Sequence, residues 1–262
     1  MTITTTITWI DVRGVNNMRD LVGTPAKDGR RIAANRLLRS DNLDRLTPAG
    51  IDTLVNNHDL TDVIDLRTNY ELARIGSGPL RTDPRVRVTT GSFYPEDDPD
   101  ALVPPWREEM SAMTPATRNE AMAAHYMEYL EVRPDTVLAD MRVLGSAQGA
   151  TDIHCAAGKD RTGTLMAVVL STLGVPQEAI QADYEATNQR LDRIMASLGE
   201  AAAAGSASQG AYSGSEQTCP PEIIAGLLAH IDDRYGSVAD YLDRIGWTAE
   251  DQAVLESHLL TD

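Results

Sequence analysis

The sequence predicts an α/β protein in which a mostly parallel central sheet is flanked by helices. Short apolar segments bounded by turn residues alternate along the chain with longer segments of helical periodicity. Strands that alternate with helices in this way form parallel sheets covered on both faces. A polar run at residues 154–163 separates the last predicted strand from a strongly apolar helix. It therefore lies at the carboxyl end of a strand, where such sheets bind ligands.

The individual elements follow from local signals. Strands are predicted at residues 37–40, 63–66, 85–88 and 151–154, and the first nine residues also have strand character. Helices are predicted from Pro48 after the cap Thr47, at 117–132, at 135–144, from Arg161 or Thr162 to Leu173, and over 177–198. The tail at 221–260 is predicted to form two amphipathic helices, with N-caps at Ser237 and Thr248.

Composition limits the classes of protein that this chain can belong to. A length of 262 residues fits a single domain over 1–262. The net charge of −16 argues against nucleic acid as a partner. No apolar run is long enough to span a membrane, so no integral membrane segment is expected. Two cysteines and a start without a signal-peptide pattern predict a cytoplasmic protein, or one exported without a signal peptide.

The run at 154–163 reads His-Cys-Ala-Ala-Gly-Lys-Asp-Arg-Thr-Gly, and we call its residues 155–161 the Cys-Arg loop. A helix N-terminus stabilises a thiolate, which is the nucleophilic form of a cysteine such as Cys155. Small residues at Ala156, Ala157 and Gly158 let the backbone N–H groups close around an anion. Arg161 adds a planar fork that matches two phosphate oxygens. These residues predict attack of Cys155 on a clamped phosphoryl group.

The remaining residues of the run have supporting roles in this interpretation. Lys159 would hold a second anionic group or stabilise the loop, and Gly163 would open the helix that follows. Thr162 is expected to donate a hydrogen bond to the cysteine sulfur. His154 is expected to fix the loop backbone. Asp152 shares a strand face with His154 and needs a buried partner, which we expect within the His154 network.

The general acid has more than one candidate. Asp160 stands beside the nucleophile and would protonate the leaving oxygen. The alternatives are Asp65 and the acidic run at 96–98, in which case Asp160 would hold the loop. Asp65 and Arg67 follow a predicted central strand, so they either bind substrate or form an internal ion pair.

At these residues the chain resembles the cysteine-dependent protein tyrosine phosphatases, whose signature is His-Cys, five residues, Arg, and Ser or Thr. The inner Gly-Lys-Asp-Arg-Thr-Gly is similar to that of the bacterial tyrosine and dual-specificity branch. Segments at 17–21, 37–43, 62–67, 183–188 and 235–259 match other parts of that branch in the same order. The resemblance thus extends over nearly the whole chain.

The resemblance implies a protein tyrosine phosphatase-like fold and hydrolysis of phosphate monoesters through a cysteinyl-phosphate intermediate. The expected substrates are phosphorylated proteins, with phosphoserine, phosphothreonine and phosphoinositide lipids as further possibilities. In that branch the loop aspartate, here Asp160, is the general acid, and the loop lysine, here Lys159, is associated with phosphoinositide substrates. The family reaction needs neither a metal nor an organic cofactor. The resemblance also implies a helical lid near the C-terminus.

Several alternatives stay open at the level of sequence. The enzyme could act on a small metabolite phosphate, or the fold could bind phosphorylated partners without turnover. Cys155 could be a buried structural thiol or the cysteine of a rhodanese-like sulfur transferase. Residues 199–214 are rich in Ala, Gly and Ser, so residues 182–222 form either a mobile lid or a passive linker. Cys219 is assigned no role.

Overall fold

A computed structural model describes residues 7–95, 109–110, 112–203 and 217–261 of this chain. Within these residues six strands form one sheet. In chain order they are β1 (Thr8–Trp9), β2 (Arg19–Asp20), β3 (Leu37–Ser40), β4 (Leu60–Asp65), β5 (Arg87–Thr90) and β6 (Ala150–His154). Their order across the sheet is β1-β2-β3-β6-β4-β5.

The pairing of the strands confirms a mostly parallel sheet. Strands β3, β6, β4 and β5 run parallel to one another, and β1 and β2 are added antiparallel at one edge. His154 at the end of β6 pairs with Ser40 on one side and with Asp65 on the other. The carboxyl ends of the three central strands therefore meet at one edge, and the Cys-Arg loop begins there.

Ten helices accompany the sheet in the part of the chain that the structure describes. They are α1 (Pro48–Asn57), α2 (Asn69–Ile75), α3 (Pro115–Val132), α4 (Pro134–Ser146), α5 (Asp160–Thr172), α6 (Gln177–Ala186), α7 (Leu191–Ala203), α8 (Pro221–Tyr235), α9 (Val238–Ile245) and α10 (Ala249–Leu259). The N-caps predicted at Thr47, Ser237 and Thr248 are confirmed, since each side chain accepts a backbone N–H from the first turn of its helix.

Three expectations about the elements were wrong in detail, and one helix was missed. The tail forms three helices rather than two, because α8 ends at Gly236 before Ser237 caps α9. Strand β5 begins at Arg87, two residues later than predicted, because Val86 N–H bonds back to the Asp83 carbonyl in a turn. The predicted helix at 177–198 is divided by a 3-10 turn, Thr187–Arg190. Helix α2 was not predicted, and residues 1–6 of the expected first strand lie outside the described residues.

Apolar residues cover both faces of the sheet. Leu37 and Ile64 point to one face, which packs against α3, α4, α5, α6 and the three C-terminal helices. Their neighbours Leu38 and Val63 point to the other face, which is covered by α1 and the N-terminal segment. This alternation is the period of a strand buried on both sides. None of the described helices is both long and apolar enough to cross a bilayer.

Candidate active site

Cys155 lies at the junction between the central strand β6 and the buried helix α5. The strand ends at His154 and the helix begins at Asp160, so only five residues connect them. The Cys155 side chain is 2% exposed at the base of this connection. The first N–H groups of a helix have no partner within the helix, and they favour an anion at this position.

Side chains from outside the Cys-Arg loop bind its backbone carbonyls and so orient its peptide groups. The amide Nδ2 of Asn17 donates to the carbonyls of Ala157 and Gly158, both at 3.1 Å. Arg39 Nη2 also donates to the Gly158 carbonyl, at 2.6 Å. In a trans peptide the carbonyl and the following N–H point in opposite directions. The loop N–H groups are therefore directed away from Asn17 and Arg39, toward the interior of the loop.

Gly158 is required by the shape of this loop. Its φ is +66°, and a Cβ atom there would lie 2.1 Å from the Ser40 carbonyl oxygen and 2.8 Å from Asp41 N. Both contacts are to the backbone of the chain that follows β3, which cannot swing aside as a long side chain can. The loop and the end of β3 can approach this closely only without a side chain at position 158.

We expect Gly158→Ala to lower the free energy of unfolding by about 2 kcal/mol or more, and to lower kcat with it. The reason is the left-handed backbone together with the contact to Ser40. Chemical denaturation measures the first effect and aryl phosphate turnover the second. Gly199→Ala is the matched control, because Gly199 lies in α7 with nothing within 4 Å of its added Cβ. Equal stability of the two variants would contradict this account of the loop.

Asp183 on α6 couples the two arginines that support the loop. Its carboxylate accepts from Arg19 Nε at 2.8 Å and from Arg39 Nη1 at 2.5 Å. Arg19 also donates to Asn17 Oδ1 at 2.7 Å, so the network returns to the side chain that holds the loop carbonyls. Burial raises the pKa of Asp183, but Arg19 and Arg39 lower it by a larger amount. The pKa of Asp183 therefore lies below its ordinary value. The buried carboxylate is thereby kept charged and paired.

Arg161 is held by Glu71 in a geometry that leaves one edge of the guanidinium for a ligand. Glu71 accepts from Nη1 at 2.5 Å and from Nη2 at 2.8 Å, and the Leu66 carbonyl accepts from Nη1 at 3.1 Å. These contacts use three of the five N–H donors. The described residues provide no partner for Nε–H or for the second hydrogen of Nη2. These two donors are parallel and form the fork that binds two phosphate oxygens.

Neighbouring side chains, Glu71 above all, keep the Arg161 guanidinium in its charged form. Burial disfavours the cation, but the Glu71 carboxylate, followed by Cys155 and Tyr94, holds the pKa of Arg161 well above its ordinary value. The pKa of Glu71 is itself lowered, since Arg161 outweighs the effect of burial. Glu71 also completes the capping box of α2 with Thr68. One carboxylate thus fixes both the arginine and the start of α2.

Asp160, the first residue of α5, lies within the Cys-Arg loop. Its Oδ1 accepts a hydrogen bond from the hydroxyl of Tyr126 and lies 3.6 Å from Lys159 Nζ. The carboxylate keeps some exposure, 17% of its side chain, unlike the buried residues around it. It is therefore held in one orientation and still accessible to a substrate.

Asp65 and Arg67 form a buried ion pair, which was one of the two alternatives for them. Arg67 donates to the carboxylate through Nε at 2.9 Å and Nη2 at 2.8 Å, and both side chains are 1% exposed. Burial raises the pKa of Asp65, but His154 and the bonds from Arg67 hold it at about 2. A carboxylate so strongly held in its charged form is unsuited to be the general acid, and neither side chain is exposed to substrate.

His154 faces the loop backbone, as expected of a supporting residue. Its Nδ1 is 3.2 Å from the Cys155 carbonyl oxygen, which can only accept, so Nδ1 carries the proton. Burial lowers the pKa of His154 more than Asp65 raises it. The neutral ring therefore ties the end of β6 to the first residue of the loop.

Lys159 and Thr162 are both buried. Lys159 Nζ donates to the backbone carbonyl of Gln217 at 3.2 Å and to its side-chain oxygen at 3.1 Å, which is the loop-stabilising alternative. Thr162 Oγ1 has no hydrogen-bond partner among the described residues. The expected bond from Thr162 to the cysteine sulfur was therefore wrong for this structure.

The partner expected for Asp152 was also wrong. Asp152 Oδ2 is bonded to Ser40 Oγ at 2.7 Å, across the β3–β6 pair, and not to the His154 network. Burial raises the pKa of Asp152 to about 7, with the Ser40 bond opposing the rise.

Residues 96–98, the other alternative acid, lie outside the described residues. So do residues 204–216 of the predicted lid, which stays a prediction. No cluster of three or more His, Cys, Asp or Glu side chains suited to a metal ion occurs in the described ranges.

Four residues that the sequence did not single out for a role are central to the site: Glu71, Tyr126, Asn17 and Asp183. Two of them stood in segments that matched the phosphatase family, at 17–21 and 183–188, but a match alone does not say what a side chain contacts. The signal for Glu71 was readable, because Thr68 followed three residues later by Glu71 is a capping box. Nothing in the local sequence marks Tyr126, since buried tyrosines are common in amphipathic helices.

The comparisons with known proteins agree with this geometry. A family model described as the tyrosine phosphatase family matches residues 10–261. The triple specificity protein phosphatase PtpB of Mycobacterium tuberculosis is 29% identical over 263 residues, covering 90% of this chain and 93% of that relative. The tyrosine-protein phosphatase of Nostoc commune is 28% identical over 241 residues, covering 90% of this chain and 78% of that relative.

A protein of Cupriavidus necator assigned as a tyrosine-protein phosphatase is 32% identical over 188 residues, covering 67% of this chain and 62% of that relative. The family match includes the whole Cys-Arg loop and the residues that support it. The chain therefore belongs to the tyrosine phosphatase family, and it is a protein-tyrosine-phosphatase enzyme.

Proposed function

We propose that this phosphatase works through a cysteinyl-phosphate intermediate, with Cys155 as nucleophile, Arg161 and the loop N–H groups as phosphate clamp, and Asp160 as general acid. The observation that carries the proposal is the arrangement of Arg161. Glu71 occupies the end of its guanidinium, and the Nε edge is left for two oxygens of a phosphoryl group. The outward carbonyls at Ala157 and Gly158 support the same assignment, because they direct the loop N–H groups inward.

In the first step the Cys155 thiolate attacks phosphorus and the bond to the leaving oxygen breaks. Asp160 gives its proton to that oxygen, so the leaving group departs as a neutral alcohol or phenol. In the second step the Asp160 carboxylate takes a proton from water as the water attacks phosphorus. The S–P bond then breaks and inorganic phosphate leaves. The negative charge in both transition states falls on oxygens that face Arg161 and the loop N–H groups.

For the substrate we propose phosphotyrosine in proteins, with phosphoserine, phosphothreonine and phosphoinositides as additional substrates. The name of the Mycobacterium tuberculosis relative, a triple specificity protein phosphatase, supports this breadth. Tyr94 lies against the Arg161 guanidinium and Tyr126 donates to Asp160, and such aromatic surroundings suit an aryl or peptide-borne phosphate.

A substrate panel in the presence of EDTA tests the proposal. We expect p-nitrophenyl phosphate and a phosphotyrosine peptide to be hydrolysed without loss of rate when EDTA is added, since no step uses a metal. The panel compares kcat/KM for phosphotyrosine, phosphoserine, a phosphoinositide and a sugar phosphate. A preference of about a thousandfold for the sugar phosphate, ~4 kcal/mol in transition-state binding, would establish the metabolite alternative instead. Phosphate binding without turnover of any member would indicate a binding module.

A further inference from the structure

Two buried tyrosines form a hydrogen-bonded chain that ends on Asp160, and a buried cysteine lies close to its other end. The hydroxyl of Tyr126, on α3, donates to Asp160 Oδ1, and the hydroxyl of Tyr184, on α6, is 2.9 Å from that of Tyr126. The thiol of Cys219, just before α8, lies close to the Tyr184 hydroxyl. Tyr126, Tyr184 and Cys219 are each at most 1% exposed. Three elements distant in sequence thus converge on the proposed acid.

The direction of the chain is set at its Asp160 end. A carboxylate oxygen that bears no proton can only accept, so the hydroxyl hydrogen of Tyr126 belongs to Oδ1. Tyr184 must then donate to Tyr126. Burial raises the pKa of Cys219 to about 11, and burial, with the nearby Asp160 carboxylate as a further cause, raises the pKa values of both tyrosines well above the usual range. The two hydroxyls and the thiol therefore keep their hydrogens at neutral pH.

The packing around these hydrogen-bonded side chains is specific. Gly163, in the first turn of α5, has no side chain, and an added Cβ would lie 2.8 Å from Cδ2 of Tyr184. The ring of Tyr184 therefore lies directly against the helix that carries Asp160. Cys219 is fixed by its backbone, whose N–H donates to Asn188 Oδ1 at 2.7 Å and whose carbonyl accepts from Asn188 Nδ2 at 3.2 Å. Cys219, at one end of this group of side chains, is thus as firmly placed as Asp160 at the other end.

We propose that Tyr126, supported by Tyr184 and Cys219, is a positioning residue that orients Asp160 for the acid step. Tyr126 and the ammonium of Lys159 both lie against Oδ1, so Oδ1 stays the accepting oxygen and the transferable proton resides on Oδ2. Without the Tyr126 hydroxyl, the carboxyl group rotates and the proton is shared between both oxygens. This inference rests on the proposed role of Asp160 as general acid.

The test compares two aryl phosphates with different leaving groups. Dinitrophenolate in 2,4-dinitrophenyl phosphate departs without protonation, whereas phenolate in phenyl phosphate needs the acid. We expect Tyr126→Phe to lower kcat/KM for phenyl phosphate by about tenfold or more, and kcat/KM for dinitrophenyl phosphate by less than about threefold. The ratio kcat/KM is compared because it excludes hydrolysis of the cysteinyl phosphate, which is common to both substrates. Tyr184→Phe should show the same split with a smaller loss. Asp160→Asn gives the largest split and serves as the reference.

The controls separate positioning from folding and from the proposed function itself. Tyr241→Phe removes another buried hydroxyl that contacts α3, through the Leu130 carbonyl at 2.9 Å, and should leave both rates unchanged. Tyr126→Phe added to Asp160→Asn should cause no further split. Equal losses on both substrates, or no loss on either, would overturn the inference while Asp160→Asn still splits them. No split in Asp160→Asn would overturn the acid role of Asp160 and the inference with it.

Discussion

Replacement of Cys155 by serine is expected to reduce kcat for p-nitrophenyl phosphate by about four orders of magnitude or more. A serine hydroxyl is far less ionised at neutral pH than a thiol, so it is a much weaker nucleophile. The adjacent His154 bonds the Cys155 carbonyl through Nδ1, so this nitrogen is not available as a base for the serine. The loss should therefore appear in kcat.

Binding separates this interpretation from a loss of folding. Because serine and cysteine differ by one atom, Cys155→Ser should keep the loop N–H groups and Arg161 in place. We expect it to bind inorganic phosphate within a few-fold of the wild-type Kd, measured by calorimetry, with an unchanged melting temperature. Turnover within tenfold of the wild type would show that Cys155 is not the nucleophile. Failure to bind phosphate in a folded variant would instead assign the cysteine to the structure of the loop.

Substitution of Arg161 by lysine is expected to lower kcat/KM by about a thousandfold. Lysine retains the charge but not the planar fork, so it cannot contact Glu71 at one edge and two phosphate oxygens at the other. The loss should be divided between KM and kcat, because the fork contacts the ground state and also the charge that develops in the transition state. Competitive inhibition by vanadate measures the clamp directly and should weaken in parallel.

Two further variants locate the origin of this effect. Glu71→Gln leaves an acceptor for one N–H but removes the charge, so we expect a smaller loss than in Arg161→Lys. Arg85→Lys is the matched control, because Arg85 forms an exposed pair with Asp83 and Asp52 away from the loop. It should leave kcat/KM unchanged. An Arg161→Lys variant with wild-type vanadate inhibition would contradict the assignment of Arg161 as the clamp.

The fold was predictable where signals are local. Strand β3, helices α1, α3 and α4, and the caps at Thr47 and Thr248 depend on residues within one or two turns of one another. Helix α2 was not predicted because none of its seven residues is buried. Its sequence therefore lacks the helical spacing of apolar residues that marks an amphipathic helix. Strand β5 was misplaced by two residues because a turn at Asp83 competes with the strand signal at its start.

The position of the Cys-Arg loop could be predicted from the sequence, but the residues that orient it could not. Glu71 is 90 residues from Arg161, and Tyr126 is 34 residues from Asp160. Asp183 is 164 residues from Arg19. Such contacts depend on which elements pack against the loop, and periodicity within one segment carries no information about that. For the same reason the sequence left Asp65 and Arg67 open between substrate binding and an internal pair.

By itself the sequence determined that the Cys-Arg loop joins a strand to a helix, because the apolar residues before and after it define both elements locally. Tertiary structure alone decided the partner of each buried charge. A charged group in the interior must be paired, and the pairs Glu71–Arg161, Asp65–Arg67 and Asp183 with two arginines could each have been formed otherwise. The packed sheet and helices select one set, since they bring each of these three carboxylates within reach of its arginine partners.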